Sequence, residues 1–443
     1  MKVSGGFFFC LVGTVAVFAA SARGVWGWRA GWDVRDHMAS MTTYERRQSA
    51  RAAGDYKAPA GCRLVSLDMV LRHGSRYPTG KHVKTSKSLE QLLDAYKSDL
   101  TLDWLKTWRT PFKMDDQGLL CARGVAELRA LGANASRDFG AAVLPYNANE
   151  VAFTCTFKSR TAQSASAFGN AMVDDGGATP IAVLSQSRED DVVLRFFENC
   201  PRYTKTVLEN PQSTAEADAW LERNIGSVAK RVAARTGLPR PVLAKNPAMI
   251  TTMWSVCQSE YVVHNDAAHW CSVFDEEDVR ILEFLDDLEA YHVKAYGNAL
   301  NYQIAAPLLA DIVANMRRNA AATPDDTPVR ANLRFAHAET TLPLGALLGL
   351  HRASGEYLAA NMTLAEIDAR TWRFSAASPL AANYAFAQYA CDGAAETQVE
   401  LLYNGVAYPL RGCTTRLCPL STVEAAFNDE LNIAQNFAEF CKV

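Results

Sequence analysis

The sequence predicts an α/β protein in which helices flank a central mixed sheet and a mostly helical domain is inserted into the chain. Three apolar runs, each followed at once by chemically active side chains, predict strands that share one pocket. A long stretch with helical periodicity separates the second run from the third. The chain has 443 residues, which is enough for two or three domains.

The predicted strands bring different functional groups to the same edge of the sheet. The strand at 63–71 is followed by His73, the strand at 151–156 by Arg160, and the strand at 331–336 by His337 and Glu339. Helices follow the second and third strands, one beginning near Ala162 and the other extending to Leu350. Ligands of open α/β sheets bind beyond the carboxyl ends of the strands, so we expect these side chains to meet in one pocket.

The inserted region is expected to be helical. Its predicted helices are 213–236, 278–296 and 302–318. The second has an apolar stripe formed by Ile281, Leu282, Leu285, Leu288 and Tyr291. Pro307 is expected to bend the third. Residues 322–328, with two prolines and two aspartates, predict the linker back to the sheet.

The C-terminal part predicts a hairpin and a final helix. Strands 399–403 and 406–408 flank Asn404-Gly405, a typical two-residue hairpin turn. Ser421 and Glu424 have the spacing of a capping box that opens the last helix. The predicted division is a signal peptide at 1–22, an α/β domain at 23–165 and 329–443, and a helical domain at 166–328.

Residues 72–79, Arg-His-Gly-Ser-Arg-Tyr-Pro-Thr, place the imidazole of His73 between the guanidinium groups of Arg72 and Arg76. Arginine binds phosphate oxygens with two parallel hydrogen bonds, so a histidine among such groups is placed to attack phosphorus. Arg-His-Gly alone is a weak signal, whereas the full octapeptide after an apolar strand is specific. The sequence has no P-loop that would indicate nucleotide binding.

The octapeptide resembles the signature of the histidine acid phosphatases, a group that includes the phytases. The segment 335–344 is similar to the His-Ala-Glu motif of one subgroup, the multiple inositol polyphosphate phosphatases, whereas the acid phosphatases and most fungal phytases have His-Asp. Further similar segments are 158–165, 195–200 and 270–274. The resemblance extends from about Cys62 to Cys441. It implies a histidine phosphatase-like fold and hydrolysis of inositol polyphosphates, phytate included.

The resemblance and the chemistry together suggest a role for each candidate residue. They are His73 as nucleophile, Arg72, Arg76 and Arg160 as ligands of the phosphoryl oxygens, His337 as a hydrogen-bond donor to the phosphoryl group, and Glu339 as general acid. The arginines are expected to lower the pKa of His73 and keep it neutral. Because His-Ala-Glu differs from His-Asp, the position of the proton stays open. The chemistry requires no metal or cofactor.

A basic stretch surrounds the octapeptide. Residues 72–87 contain five lysines and arginines and no acid, which fits either a solvated loop or a funnel for a highly anionic ligand. The octapeptide favours the funnel, with Lys81 and Lys84 contacting outer phosphates and Thr79 supporting the loop or touching phosphate. The net charge of −3 argues against general nucleic-acid binding, and the expected partner is a small polyanion.

The N-terminus and the cysteines predict export. Residues 1–22 combine Lys2, an apolar stretch and Ala20-Ser21-Ala22, as a signal peptide does, although an uncleaved anchor stays possible. We expect a secreted or lumenal protein, with no membrane span once the signal is removed. Asn134 and Asn361 lie in glycosylation sequons.

Ten cysteines remain outside the predicted signal peptide, and an even number is consistent with disulfide pairing. Short spacing favours Cys413 with Cys418 and Cys257 with Cys271, while the resemblance implies the pairs Cys62–Cys391 and Cys200–Cys441. Cys121 and Cys155 either pair or stay free. The spacing of cysteines and histidines does not support a zinc site.

Two other functions stay open at this point. One is a broad-specificity acid phosphatase for small phosphomonoesters or 2,3-bisphosphoglycerate. The other is a non-catalytic binder of anionic ligands, against which the intact His73, Arg160 and Glu339 argue.

Overall fold

The computed structural model describes residues 31–47, 56–323 and 325–443, so the predicted signal peptide lies outside the described residues. These residues form an eight-stranded sheet flanked by helices. The strands are β1 Cys62–Arg72, β2 Val151–Cys155, β3 Val183–Ser185, β4 Ala331–Ala336, β5 Asn383–Cys391, β6 Gln398–Tyr403, β7 Val406–Tyr408 and β8 Leu417–Pro419.

The α-helices are α1 Tyr44–Arg47, α2 Gly80–Ala95, α3 Asp103–Thr107, α4 Ala122–Val143, α5 Ser159–Val173, α6 Pro201–Tyr203, α7 Ala215–Thr236, α8 Arg240–Lys245, α9 Pro247–His264, α10 Glu276–Lys294, α11 Ala299–Gln303, α12 Ala306–Ala321, α13 Ala338–Leu347, α14 Leu364–Ala369, α15 Phe374–Ala377, α16 Leu420–Ala426, α17 Asn428–Gln435 and α18 Phe437–Phe440. Short helical turns of other types connect several of them.

The sheet is mixed, as predicted. Its strand order is β3-β2-β4-β1-β5-β6-β7, with β8 also paired to β6. Strands β3, β2, β4 and β1 are parallel, and β5 to β8 continue the sheet in antiparallel pairs. Arg72 lies opposite Ala336, and Cys155 lies opposite Phe335. The carboxyl ends of β1, β2 and β4 therefore meet at one edge, where the sequence placed the pocket.

Alternation along β1 explains why this strand is central. Leu67, Met69 and Leu71 are buried in a core formed with α4 and α5, whereas Val70 is buried in a second core with α12 and α13. Both faces are covered, so the strand reads as a nearly continuous apolar run. This burial on two sides fixes the position of the residues that follow Arg72.

A third core holds the helical part together. Helices α7 to α10 pack against one another, and α10 buries Ile281, Leu282, Leu288 and Tyr291 of its predicted stripe. Asp275 and Asp278 form a capping box at the start of α10. The predicted helices 213–236 and 278–296 are confirmed to within a few residues.

The division into domains in space differs from the predicted division of the chain. The predicted boundary at 165–166 falls inside α5, which packs on α4 and the sheet together with β3. Helix α12 packs on β1 and α17. Conversely, α2 packs on α9 and contributes Leu89 and Leu93 to the helical core. The helical part therefore includes residues from both sides of the predicted insertion.

Two local predictions are wrong, and one element was not predicted. Pro307 does not bend a helix, because it occupies the first turn of α12, where its missing N–H breaks no helical bond. Ser421 does not cap a helix, because its N–H and hydroxyl both donate to Glu396, and α16 has already begun at Leu420. The sequence predicted no element for the second half of the basic stretch, where residues from Gly80 onward form α2.

The hairpin and the disulfides agree with expectation. Asn404 and Gly405 have positive φ angles of 46° and 79°, as a two-residue hairpin turn requires. The bonded cysteine pairs are Cys62–Cys391, Cys200–Cys441, Cys257–Cys271 and Cys413–Cys418, and Cys121 and Cys155 are free and buried. Of the sequon residues, Asn134 lies within α4 and Asn361 lies in an exposed turn. No described helix is long and apolar enough to span a bilayer.

Candidate active site

His73 follows β1 and is held by the adjacent strand. Its backbone N–H donates to the carbonyl of Ala336 at 2.9 Å, which ties the end of β1 to the end of β4. Its Nδ1 lies 2.9 Å from the carbonyl oxygen of Gly74. Because a carbonyl oxygen only accepts, Nδ1 carries the proton and Nε2 carries the free lone pair. The side chain is therefore oriented as a nucleophile through Nε2.

The surroundings of His73 keep it neutral. Burial is the largest cause that lowers the pKa of His73 well below its ordinary value, and the positive charges of Arg160, Arg72 and Arg76 lower it further. The residue is 3% exposed. A neutral imidazole is the form that attacks phosphorus, so the environment favours the reactive state.

Gly74 lets the loop after His73 lie directly on α4. A Cβ atom at this position would be 2.5 Å from Cδ2 of Leu128 and 2.7 Å from the carbonyl oxygen of Gly124. Close approach, rather than a left-handed backbone, therefore requires glycine here. The carboxylate of Glu127 then accepts hydrogen bonds from the N–H and the hydroxyl of Ser75, at 2.7 and 2.9 Å. The loop is fixed before a ligand binds.

The guanidinium groups of Arg72, Arg76 and Arg160 surround this loop. In each of them Nε is buried and has no hydrogen-bond partner among the described residues. Burial, together with the positive charge of Arg76, lowers the pKa of Arg72 to about 9 and that of Arg160 to about 10. Unsatisfied buried donors and mutual repulsion are both relieved by an anion, so this cluster is suited to a phosphoryl group.

Two of these arginines are oriented by other contacts. Nη1 of Arg72 donates to the carbonyl of Ser378, and its guanidinium group lies 5.9 Å from the ring centre of Phe374. Nη1 of Arg76 donates to the carbonyl of Tyr77 at 2.9 Å. These contacts leave the Nε side of each group available and fix the direction in which it faces.

His337 follows β4 and binds two neighbours. Its Nδ1 accepts a hydrogen bond from Nη2 of Arg160 at 3.1 Å, and its Nε2 lies 2.8 Å from the hydroxyl of Thr156. The rings of His337 and His73 have centres 5.5 Å apart. Burial and the charge of Arg160 lower the pKa of His337 well below its ordinary value, so the ring is neutral.

This arrangement adds a condition to the predicted role of His337. The neutral ring has its proton on Nε2, because Nδ1 accepts from Arg160. His337 can donate from Nδ1 to a phosphoryl oxygen only after two changes. Arg160 must turn from His337 to the anion, and the ring proton must move from Nε2 to Nδ1. The Thr156 hydroxyl permits this, since it donates or accepts equally well.

Glu339 lies in the first turn of α13 and pairs with a residue of the helical part. Its Oε1 is 3.0 Å from Nζ of Lys294, and its side chain is 40% exposed. Burial raises the pKa of Glu339, but the charge of Lys294 and its hydrogen bond to the carboxylate hold it well below its ordinary range. The carboxylate is therefore charged here, whereas a general acid must carry a proton when the leaving group departs.

The other predicted contact residues differ in position. Thr79 lines a cavity of about 410 Å³ beside Arg160, and Lys81 lines another cavity beside Arg76. Lys84 is exposed and lines neither of these two cavities, and Lys87 pairs with Glu90 at 3.0 Å. Lys81 and Lys84 are three residues apart on α2 and share one side of the helix, so the funnel formed by the stretch 72–87 stays a prediction.

Three residues at the site had no assigned role in the sequence. Lys158 lines the cavity beside Arg160, and Arg195 is 4% exposed and lowers the pKa values of Arg160 and His337. Lys158 and Arg195 lie in segments that carry the family resemblance, so the sequence pointed to these segments but not to the roles of the two side chains. No motif in the sequence marks Lys294, because only the packing of α10 brings it close to Glu339. Among the described residues, no three His, Cys, Asp or Glu side chains are grouped as metal ligands.

A neutral histidine and three guanidinium groups at the strand ends of an α/β sheet define a phosphomonoester hydrolase with a histidine nucleophile. The chain belongs to the histidine phosphatase superfamily (branch 2), whose family model matches residues 63–404.

Similar proteins include inositol phosphate phosphatases and phytases. The chain is 27% identical over 444 residues to multiple inositol polyphosphate phosphatase 1 of Gallus gallus, covering 97% of this chain and 95% of that protein. It is similar in fold to the phytase from D. castellii, with a TM-score of 0.74, 16% identity, and coverage of 96% and 90%. A second similar structure is Bifidobacterium longum multiple inositol polyphosphate phosphatase in complex with inositol hexasulfate, with a TM-score of 0.68, 18% identity, and coverage of 87% and 96%. The predicted family and fold class are confirmed.

Proposed function

We propose that this chain is an inositol polyphosphate phosphatase of the secretory pathway that removes phosphates from substrates including phytate. The observation that carries the proposal is the convergence of three partly unsatisfied guanidinium groups on a neutral, buried His73. The names of its relatives support inositol phosphates as the substrate class, and the complex with inositol hexasulfate is of a protein with the same fold. Such a substrate carries several charges, which suits a strongly positive site.

In the first step, Arg72, Arg76 and Arg160 bind the phosphoryl oxygens. The Nε2 lone pair of His73 then forms a bond to phosphorus while the bond from phosphorus to the inositol oxygen breaks. The electron pair of that bond goes to the inositol oxygen, which takes a proton from Glu339. Positioning and charge stabilisation account for most of the acceleration of phosphoryl transfer.

In the second step, water attacks the phosphohistidine. Its oxygen forms a bond to phosphorus, its proton goes to the carboxylate of Glu339, and the phosphorus–nitrogen bond breaks to restore His73. Lys294 suits this half of the cycle, because it favours the charged form of Glu339. In the first half, the anionic substrate raises the pKa of Glu339 and attracts Lys294, so that the carboxyl group takes up a proton.

The test is phosphate release by the purified protein. Phytate and glycerol phosphate are compared at equal concentration, with His73→Ala as the inactive control. We expect a higher kcat/KM for phytate and a loss of at least about 10³-fold in the control. Equal kcat/KM values for the two substrates would favour a broad acid phosphatase. Binding of phytate without phosphate release would favour a non-catalytic binder.

Export is supported by a separate feature. Four disulfides join distant and local parts of the described chain, and such bonds persist in oxidising compartments. Expression of the full chain with a C-terminal tag tests this part of the proposal. We expect the protein in the medium or in lumenal fractions, protected from added protease until the membrane is dissolved. A cytosolic, protease-sensitive protein would contradict it.

A further inference from the structure

A cavity of about 570 Å³ lies on the helical side of Arg76, and the steps above do not use it. Residues of α2, α7, α9 and α10 line it, with Arg76 and Pro78 at the side of the phosphate site. Its volume falls within the roughly 300–1,000 Å³ typical of small-molecule sites. Since Arg76 belongs to both, a phosphate bound by Arg76 lies next to this cavity.

The two sides of the cavity have opposite charge. Lys81 and His82 lie on the side of Arg76, whereas Asp286 and Glu289 of α10 lie among the residues of the helical side. Asp286 and Glu289 are three residues apart, so they share one face of the helix. Carboxylates repel a phosphate group and accept hydrogen bonds from hydroxyl groups. The helical side is therefore unsuited to a second phosphate.

The remaining polar groups are those that bind a polyol. Thr251, Ser255 and Gln258 of α9 line the cavity. Trp254 lines it as well and is 3% exposed. Its indole favours the charged form of Asp286, yet its Nε1 makes no hydrogen bond of normal geometry with any described residue. A buried N–H of this kind gains an acceptor when a ligand oxygen enters.

We propose that this cavity binds the unphosphorylated, hydroxyl-bearing part of the substrate while the phosphate to be removed lies on Arg72, Arg76 and Arg160. The inference rests on the proposed function and narrows its substrate class. A fully phosphorylated ring places a phosphate against Asp286 and Glu289. A partly dephosphorylated ring offers hydroxyl donors instead. The cavity therefore favours inositol phosphates with free hydroxyl groups over phytate.

The experiment compares kcat/KM for phytate and for an inositol trisphosphate. The variant Asp286→Asn/Glu289→Gln keeps the shape of both side chains and removes their charge. Glu222→Gln is the matched control, because Glu222 is exposed on α7 and does not line the cavity. Burial and the charge of Glu289 raise the pKa of Asp286 to about 7. The assays are therefore run at about pH 7, where the site is expected to be active and this carboxyl is charged in about half of the molecules.

We expect the ratio of kcat/KM, trisphosphate over phytate, to fall about tenfold in the double variant, the effect of one charged hydrogen bond. The control should keep the wild-type ratio. Thermal melting checks that the variants fold. If the double variant does not fold, the single variant Glu289→Gln, at an exposed position, replaces it and should lower the ratio about threefold.

An unchanged ratio in folded variants would overturn the inference, and so would a wild-type protein that hydrolyses phytate but not the trisphosphate. Failure of the proposed function is a different result. In that case the wild-type protein releases no phosphate from either compound.

Discussion

The carboxylate of Glu339 and the ammonium group of Lys294 lie 3.0 Å apart across the cleft. Glu339 begins α13 beside His337, and Lys294 ends α10 in the helical part. The contact therefore joins the two walls of the active site and sets the charge of the group that is proposed to handle the proton.

Replacing Lys294 should change the pH dependence of the reaction. In Lys294→Met the pKa of Glu339 should rise, because Lys294 is the main group that lowers it. Because the general acid must carry a proton, the alkaline limb of the kcat profile should then move to higher pH, and Lys294→Arg should reverse this shift in part. The exposed Lys84→Met is the control. A profile unchanged in Lys294→Met would show that Lys294 does not act through Glu339.

Replacing Glu339 separates proton transfer from binding. Glu339→Gln should lower kcat/KM on phytate, which reports phosphoryl transfer to His73 and not hydrolysis of the shared phosphohistidine, by about 10²–10⁴-fold, the usual contribution of general acid–base catalysis. The loss on p-nitrophenyl phosphate should be far smaller, because its leaving group needs little protonation. Steady-state kinetics on both substrates provide the comparison. Equal losses would remove Glu339 from the role of general acid.

The close packing at Gly74 predicts a loss of both stability and activity. Gly74→Ala places a methyl group within 2.5 Å of Leu128, so the loop must move away from α4, at a cost of about 1–3 kcal/mol. The melting temperature and kcat should both fall. Gly140→Ala is the matched control, since a Cβ there has no atom within 4 Å. An active, fully stable Gly74→Ala protein would contradict this explanation of the glycine.

The pKa values at the site predict activity from acidic to neutral pH. The pKa of His73 is lowered, so its ring stays neutral and nucleophilic at pH values where an ordinary histidine is protonated. At the alkaline end, Arg72 with a pKa of about 9 begins to lose its charge, so KM should rise above that pH. Profiles of kcat/KM from about pH 4 to 10 test both limits. A rate that still rises at pH 9 would contradict this assignment.

The phosphohistidine itself can be trapped. Rapid acid-free quenching with radiolabelled substrate should give an acid-labile label on the peptide that contains His73. With radiolabelled p-nitrophenyl phosphate, whose leaving group needs little protonation, the label should accumulate further in Glu339→Gln if that residue activates the water. Label on another residue would move the nucleophile elsewhere.

Much of the fold was predictable because its signals are local. The run before His73 is mostly apolar and its last residues are buried on both faces of the strand, and Asn404-Gly405 selects its turn without help from distant residues. Local signals failed where a distant partner intervened. Ser421 has the spacing of a cap, but Glu396, 25 residues away, accepts its hydrogen bonds. Helix α2 was not predicted, because its lysines suggested a solvated basic segment. Its apolar residues Val83, Leu89 and Leu93 are nevertheless buried.

The sequence alone determined the strands and which residues are candidates for the nucleophile and its arginines, since each signal depends on neighbours within a few residues. Only the tertiary structure decided that Lys294 faces Glu339, that Gly74 is needed for contact with α4, and that Asp286 and Glu289 share a cavity with Arg76. Electrostatic and packing energies depend on distance in space, and the packing of the helices against the sheet sets those distances.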